Sequence, residues 1–100
     1  MKKLVVAFDV DETLILQDRE GQDYPNYSVI DLLRWFRSQG HTIVIWSGGG
    51  EDYARTWARK LGFSDAVIAP KTKEAAADLN VDIAIDDSED CTLGKIQIYV

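Results

Sequence analysis

Five short runs of β-forming residues, separated by polar or helix-patterned segments, constrain this chain more than anything else in it. They are Val5-Val6-Ala7-Phe8, Thr42-Ile43-Val44-Ile45-Trp46, Ala66-Val67-Ile68-Ala69, Val81-Asp82-Ile83-Ala84-Ile85 and Lys95-Ile96-Gln97-Ile98-Tyr99-Val100. The first two are apolar at consecutive positions, which suits strands covered on both faces. Between them, Ser28 is placed to cap a helix with Asp31 at its third position, and Val29, Leu32, Leu33 and Phe36 form an apolar face that Gly40 ends. Glu51 and Asp52 open a second helix, with Tyr53, Trp57, Ala58 and Leu61 on its apolar side, and Thr72 to Leu79 makes a short third. Strands alternating with helices require right-handed crossovers. The expected fold is therefore α/β, a three-layer sandwich around a parallel five-stranded sheet. Residues Ile15 to Tyr27 are polar, contain Gly21 and Pro25, and read as a loop or short flap.

A chain of 100 residues that is 46% hydrophobic is expected to form a single domain over 1–100. Such a domain buries roughly 60–70% of its unfolded surface. The net charge of −6 disfavours a basic nucleic-acid groove, although acids gathered at one site account for part of it. No run reaches the roughly 20 apolar residues of a membrane span, and the apolar run after Met1-Lys2-Lys3 breaks at Asp9, too early for a signal peptide. A cytoplasmic protein without a membrane partner is expected. Cys91 has no second cysteine to pair with and reads as inert. Trp35, Trp46 and Trp57 fall in apolar patterns and are expected in the core, whereas His41 reads as a solvated turn residue. Tyr24, Pro25 and Tyr27 either close over a substrate or pack the entry to the first helix.

The strand ends carry the chemistry. Asp9-Val10-Asp11-Glu12-Thr13 closes the first strand, and a continued strand would point Asp9 and Asp11 the same way. Burying like charges together is costly unless a cation or a reaction needs them. An oxygen-rich site suits a hard cation such as magnesium, and a carboxylate beside one can accept a phosphoryl group. The second strand ends in Ser47-Gly48-Gly49-Gly50, whose amides can approach an anion ahead of a helix N-terminus. The fourth ends in Asp86-Asp87. Ligands of open parallel sheets bind beyond the carboxyl ends of strands, so these segments are expected to meet in one cleft.

In that order, Asp9-Val10-Asp11-Glu12-Thr13, Ser47 after its strand, Lys71, and Ile85-Asp86-Asp87 resemble the four motifs of the haloacid dehalogenase (HAD) superfamily of phosphohydrolases. The resemblance covers nearly the whole chain and implies a Rossmann-like core. It implies a magnesium-dependent phosphomonoester hydrolase that works through an aspartyl phosphate. Asp9 would be the nucleophile and a metal ligand; Asp11 would be the acid/base, reaching the metal through its backbone carbonyl. Thr13, Ser47 and the Gly48 amide would hold the transferring oxygens. Lys71, with Lys73 as the alternative, would neutralise charge, and Asp86 with Asp87 would complete the magnesium shell. An aspartate at the second position is what phosphatases of the superfamily have.

Larger members insert a cap after the first motif or after the third strand, and neither place has room here, so the capless type is implied. Capless relatives often act on large phosphorylated substrates or use a neighbouring subunit, so the resemblance shifts the expectation toward a macromolecular substrate or an oligomer, with a small-molecule phosphate left open. Three glycines stand where some relatives place an arginine, which argues against nucleotides and nucleic acid. The alternative is a non-catalytic receiver-like module or an inactive scaffold that binds magnesium or a partner. It ranks lower because Asp9 and Asp11 are separated and no acid ends the second or third strand.

Overall fold

The computed structural model describes residues 2–100. Strand β1 (Val5–Asp9) leads into a hairpin of β2 (Ile15–Gln17) and β3 (Asp23–Pro25), followed by α1 (Tyr27–Ser38), β4 (Thr42–Trp46) and α2 (Glu51–Lys60). The chain continues through β5 (Val67–Ile68), α3 (Lys73–Leu79), β6 (Ile83–Asp86) and β7 (Ile96–Tyr99). Five strands make one sheet in the order β5-β4-β1-β6-β7, and every pairing in it is parallel. The α/β architecture expected from the alternation is the one observed. The segment expected to be a loop or flap is an antiparallel two-stranded hairpin.

Strand alternation assigns the two faces. Val6, Phe8, Ile43, Ile45, Ile83 and Ile85 join Val29, Leu33 and Phe36 of α1 and Ala54 and Ala58 of α2 in one buried layer. Ala7, Val44, Trp46 and Ala84 form the other with Ala76 of α3. Small side chains at 7, 76 and 84 let a short helix come close to the sheet. From β1 the chain winds through α1 and α2 toward β5, and α3 then carries it across the opposite face to β6 on the other side of β1. The winding reverses between β1 and β6, where a ligand crevice opens in sheets of this kind. Asp9 and Asp86 end those two strands.

The return from β6 to β7 contains no helix, only residues 87–95. Parallel crossovers usually take a dozen or more residues, so this one must lie directly on the sheet. A Cβ on Gly94 would come 2.6 Å from the Ala84 nitrogen and 2.7 Å from the Ile96 oxygen, both backbone. Neither can yield without disturbing a paired strand. Gly94→Ala is expected to destabilise the fold by about 2–3 kcal/mol. Denaturant unfolding measures this, and a loss below about 0.5 kcal/mol would contradict the close crossover.

Three local expectations are corrected. Helix α1 starts at Tyr27 with Asn26, not Ser28, at its N-cap. The Asn26 amide nitrogen donates to the Thr13 carbonyl at 2.9 Å, which ties the helix entry to the turn after β1. Trp35 is 55% exposed because the sheet-facing stripe of α1 is Val29, Ile30, Leu33 and Phe36, and position 35 falls beside it. Trp46 is fully buried, and Trp57 packs partly against the core. His41 is buried, not solvated: Nδ1 accepts from the Leu4 amide at 2.9 Å and its ring stands edge-on to Phe36. Tyr24 and Tyr27 are exposed. Among the described residues no helix is long and apolar enough to cross a membrane.

Candidate active site

Because β1 is the central strand, its last residue is enclosed from both sides. Asp9 pairs in register with Trp46 of β4, and the β1–β6 register, running Phe8 to Ile85, brings Asp86 alongside it. Both carboxylates are buried, at 5% and 2% exposure. A cation is needed there, and the chain supplies one from across the sheet. After β5, the Thr72 amide donates to the Pro70 carbonyl at 3.0 Å, and the Thr72 hydroxyl caps α3 by accepting from the Ala75 amide at 3.1 Å. That tight turn delivers Lys71, whose Nζ lies 3.2 Å from Asp9 Oδ1 and 2.6 Å from Asp86 Oδ2. Lys73 is exposed at the start of α3, so Lys71 is the lysine that meets the carboxylates.

Asp87 joins them: one oxygen from each of Asp9, Asp86 and Asp87 lies within 4.8 Å of the others. The buried Thr13 hydroxyl bridges two of them by long contacts, 3.4 Å to Asp9 Oδ2 and 3.5 Å to Asp87 Oδ1. The Ser88 amide donates to Asp86 Oδ1 at 2.9 Å. Asp86 Oδ2 is close to Lys71 but has no aligned hydrogen bond. Three carboxylates against one ammonium leave a formal charge of −2. In an octahedral magnesium shell neighbouring ligands stand about 3 Å apart and opposite ones about 4.2 Å, so the three oxygens would draw closer together to share one ion. The buried, undirected Asp86 oxygen is an atom such an ion would satisfy. The donor set fits a hard divalent cation.

Burial raises the Asp9 carboxyl to about 7; Lys71 pulls it down without cancelling that effect, and Asp86 adds to the rise. Burial also opposes the charge on Lys71, but Asp86 and Asp9 outweigh it and hold the ammonium above its ordinary value. The lysine stays charged, and Asp9 is the group left short of positive charge.

Asp11 stands apart. Strand β1 ends at Asp9, and the chain turns through Glu12 with φ 59°, so the two-residue strand period does not extend to Asp11. Its carboxylate is exposed and is not one of the three clustered acids, which corrects the expectation that the Asp9 and Asp11 side chains address one point. Instead Asp11 Oδ1 accepts from the Tyr53 hydroxyl at 2.5 Å. Burial and the Asp11 carboxylate raise that phenol to about 12, so it remains a donor.

Ser47 is buried just beyond β4, one residue past the register partner of Asp9. Its Oγ accepts from the Gly49 amide at 3.0 Å, which leaves the hydroxyl hydrogen free to donate. Gly48 is exposed, and a Cβ there would meet nothing within 4 Å, so packing does not require glycine at 48. At Gly49 a Cβ would lie 3.1 Å from the Tyr53 ring, so a side chain there would need that ring to shift by a few tenths of an ångström. Tyr53 itself was legible only as part of an apolar helix stripe. Its one further signal is a phenol in the first turn after the glycine run. No protein-family model matches this chain, and no curated protein matches it significantly.

Proposed function

We propose that the protein is a magnesium-dependent phosphomonoester hydrolase of the HAD kind, acting through an aspartyl phosphate on Asp9. One observation carries this: a buried carboxylate at the end of the central strand is at once ion-paired to Lys71 and grouped with two further carboxylates. Phosphomonoesters hydrolyse so slowly that enzymes accelerate them by up to about 10²¹, mostly through positioning and charge. Each residue type present meets one of those needs. A cation held by Asp9, Asp86 and Asp87 would supply the positive charge that lets a phosphate dianion approach a carboxylate.

The chain's own groups perform the rest. An Asp9 carboxylate oxygen attacks phosphorus while Lys71 offsets the gathering negative charge. The Thr13 and Ser47 hydroxyls and the Gly48 amide orient the phosphoryl oxygens. Asp11 protonates the leaving oxygen as its bond to phosphorus breaks, then takes a proton from the water whose oxygen displaces Asp9 and releases phosphate. Beyond β1 the enclosure is a small hairpin, so the site suits a phosphorylated macromolecule or completion by a second subunit.

Purified protein in millimolar magnesium should release phosphate from an aryl phosphate, lose that activity on chelation and regain it on re-addition. No release between pH 5 and 9 overturns the proposal. A long-lived acyl phosphate that forms from acetyl phosphate without turnover favours the receiver-like alternative.

A further inference from the structure

We propose that Tyr53 is the positioning residue for Asp11, holding one carboxylate oxygen so that the other meets the leaving group; this rests on the phosphatase reading above. Asp11 sits in an exposed turn beyond the end of β1, and the Tyr53 hydroxyl, at 2.5 Å, is its one side-chain partner among the described residues. A free surface aspartate samples several rotamers. Displacing a catalytic group by about 1 Å costs on the order of 10²-fold in rate, so an unheld Asp11 would be a poor proton donor.

Tyr53 is well placed to hold it. The residue lies in the first turn of α2, and its ring rests on the Gly49 backbone, where an added Cβ would stand 3.1 Å from Cδ2 and 3.3 Å from Cγ. The ring therefore connects the Ser47-Gly48-Gly49 segment to Asp11. On the same side a cavity of about 330 Å³ opens between the hairpin and α2, with Asp11, Leu16, Gln17, Asp23 and Tyr53 in its lining. This cavity places open space beside the Asp11 carboxylate and the Tyr53 ring.

With the phenol on Oδ1, Oδ2 is the oxygen left to pass a proton in the reaction. As the Asp9 oxygen–phosphorus bond forms and the bond to the leaving oxygen breaks, that proton moves to the leaving oxygen, which departs as a neutral alcohol. In the second half water returns a proton to Oδ2 while its oxygen bonds to phosphorus and Asp9 is released. An alkoxide cannot leave without the proton, whereas a nitrophenolate can.

The test is kcat and KM for wild type, Tyr53→Phe, Gly49→Ala and Asp11→Asn with an alkyl phosphate and p-nitrophenyl phosphate in magnesium. Tyr53→Phe should lower kcat for the alkyl ester at least about tenfold more than for the aryl ester, with KM within about twofold. Gly49→Ala, by pushing the ring, should show the same selectivity, and Asp11→Asn a larger one. An active wild type with equal losses on both esters, or none, in Tyr53→Phe overturns the Tyr53 role and leaves the phosphatase reading standing. A wild type inactive on both esters overturns that reading and this role together.

Discussion

Asp9→Asn is expected to abolish phosphate release, by about 10⁴-fold or more, while raising the melting temperature of the metal-free protein at pH 8. An amide cannot form the acyl phosphate, so no residual covalent route remains. The stability gain has a separate origin. Asp9 is buried beside Asp86, and its carboxyl is raised to about 7, so at pH 8 the fold holds a charge it disfavours. Asparagine has nearly the same shape without that charge, and Lys71 keeps Asp86 at 2.6 Å. A gain of about 1–3 kcal/mol should follow, roughly 5–20 °C for a domain of this size. Steady-state assays and thermal melts on one preparation check both parts. Turnover within tenfold of wild type places the nucleophile elsewhere; a fall in melting temperature means the Asp9 charge is already compensated.

The second large effect is a stability that falls with rising pH until a divalent cation is added. The folded state keeps the Asp9 proton up to about pH 7, whereas an unfolded chain loses it near 3.8. Between those values the native protein binds more protons than the unfolded one, so stability is full below the unfolded value and declines as pH rises through 7. Carried across that interval the change is about 4 kcal/mol. Asp82, held below the usual carboxylate range by the Val5 amide and by Lys95, titrates beneath the window, and Lys71 titrates above it. Magnesium binds the deprotonated cluster, so it should stabilise more at pH 8 than at pH 5, by about 2.7 kcal/mol at a hundredfold excess over Kd. Denaturation at the two pH values, with and without magnesium, measures both terms. A magnesium effect equal at pH 5 and pH 8 would contradict a cation bound through Asp9.

The polar positions show how far local pattern reaches. Lys71 is favoured on paper because it directly follows the third apolar run while Lys73 lies one step into the helix, and the Pro70–Thr72 turn with the Thr72 cap is what aims it at Asp9 and Asp86. Ser28 with Asp31 satisfies the capping pattern, yet Asn26 stands at the cap position, where its side chain makes no cap bond and is held by the Thr13 carbonyl. His41 looks like a turn residue until β1 is seen to start beside it, with Leu4 offering an amide in need of an acceptor. For Asn26 and His41 the deciding partner, Thr13 or Leu4, is remote in the chain.

By itself the sequence determined the layers and the strand ends. Apolar runs bury on both faces, helices must cover them, and acids closing such runs must gather at one edge of a parallel sheet. Tertiary structure alone decided which acids share a point. The sheet order puts β6 beside β1, so Asp86 and Asp87 meet Asp9, while the turn through Glu12 sends Asp11 to Tyr53, 42 residues away. Hydrophobic periodicity is a local property of the chain, whereas the meeting of charges depends on long-range register and on turns that break the period.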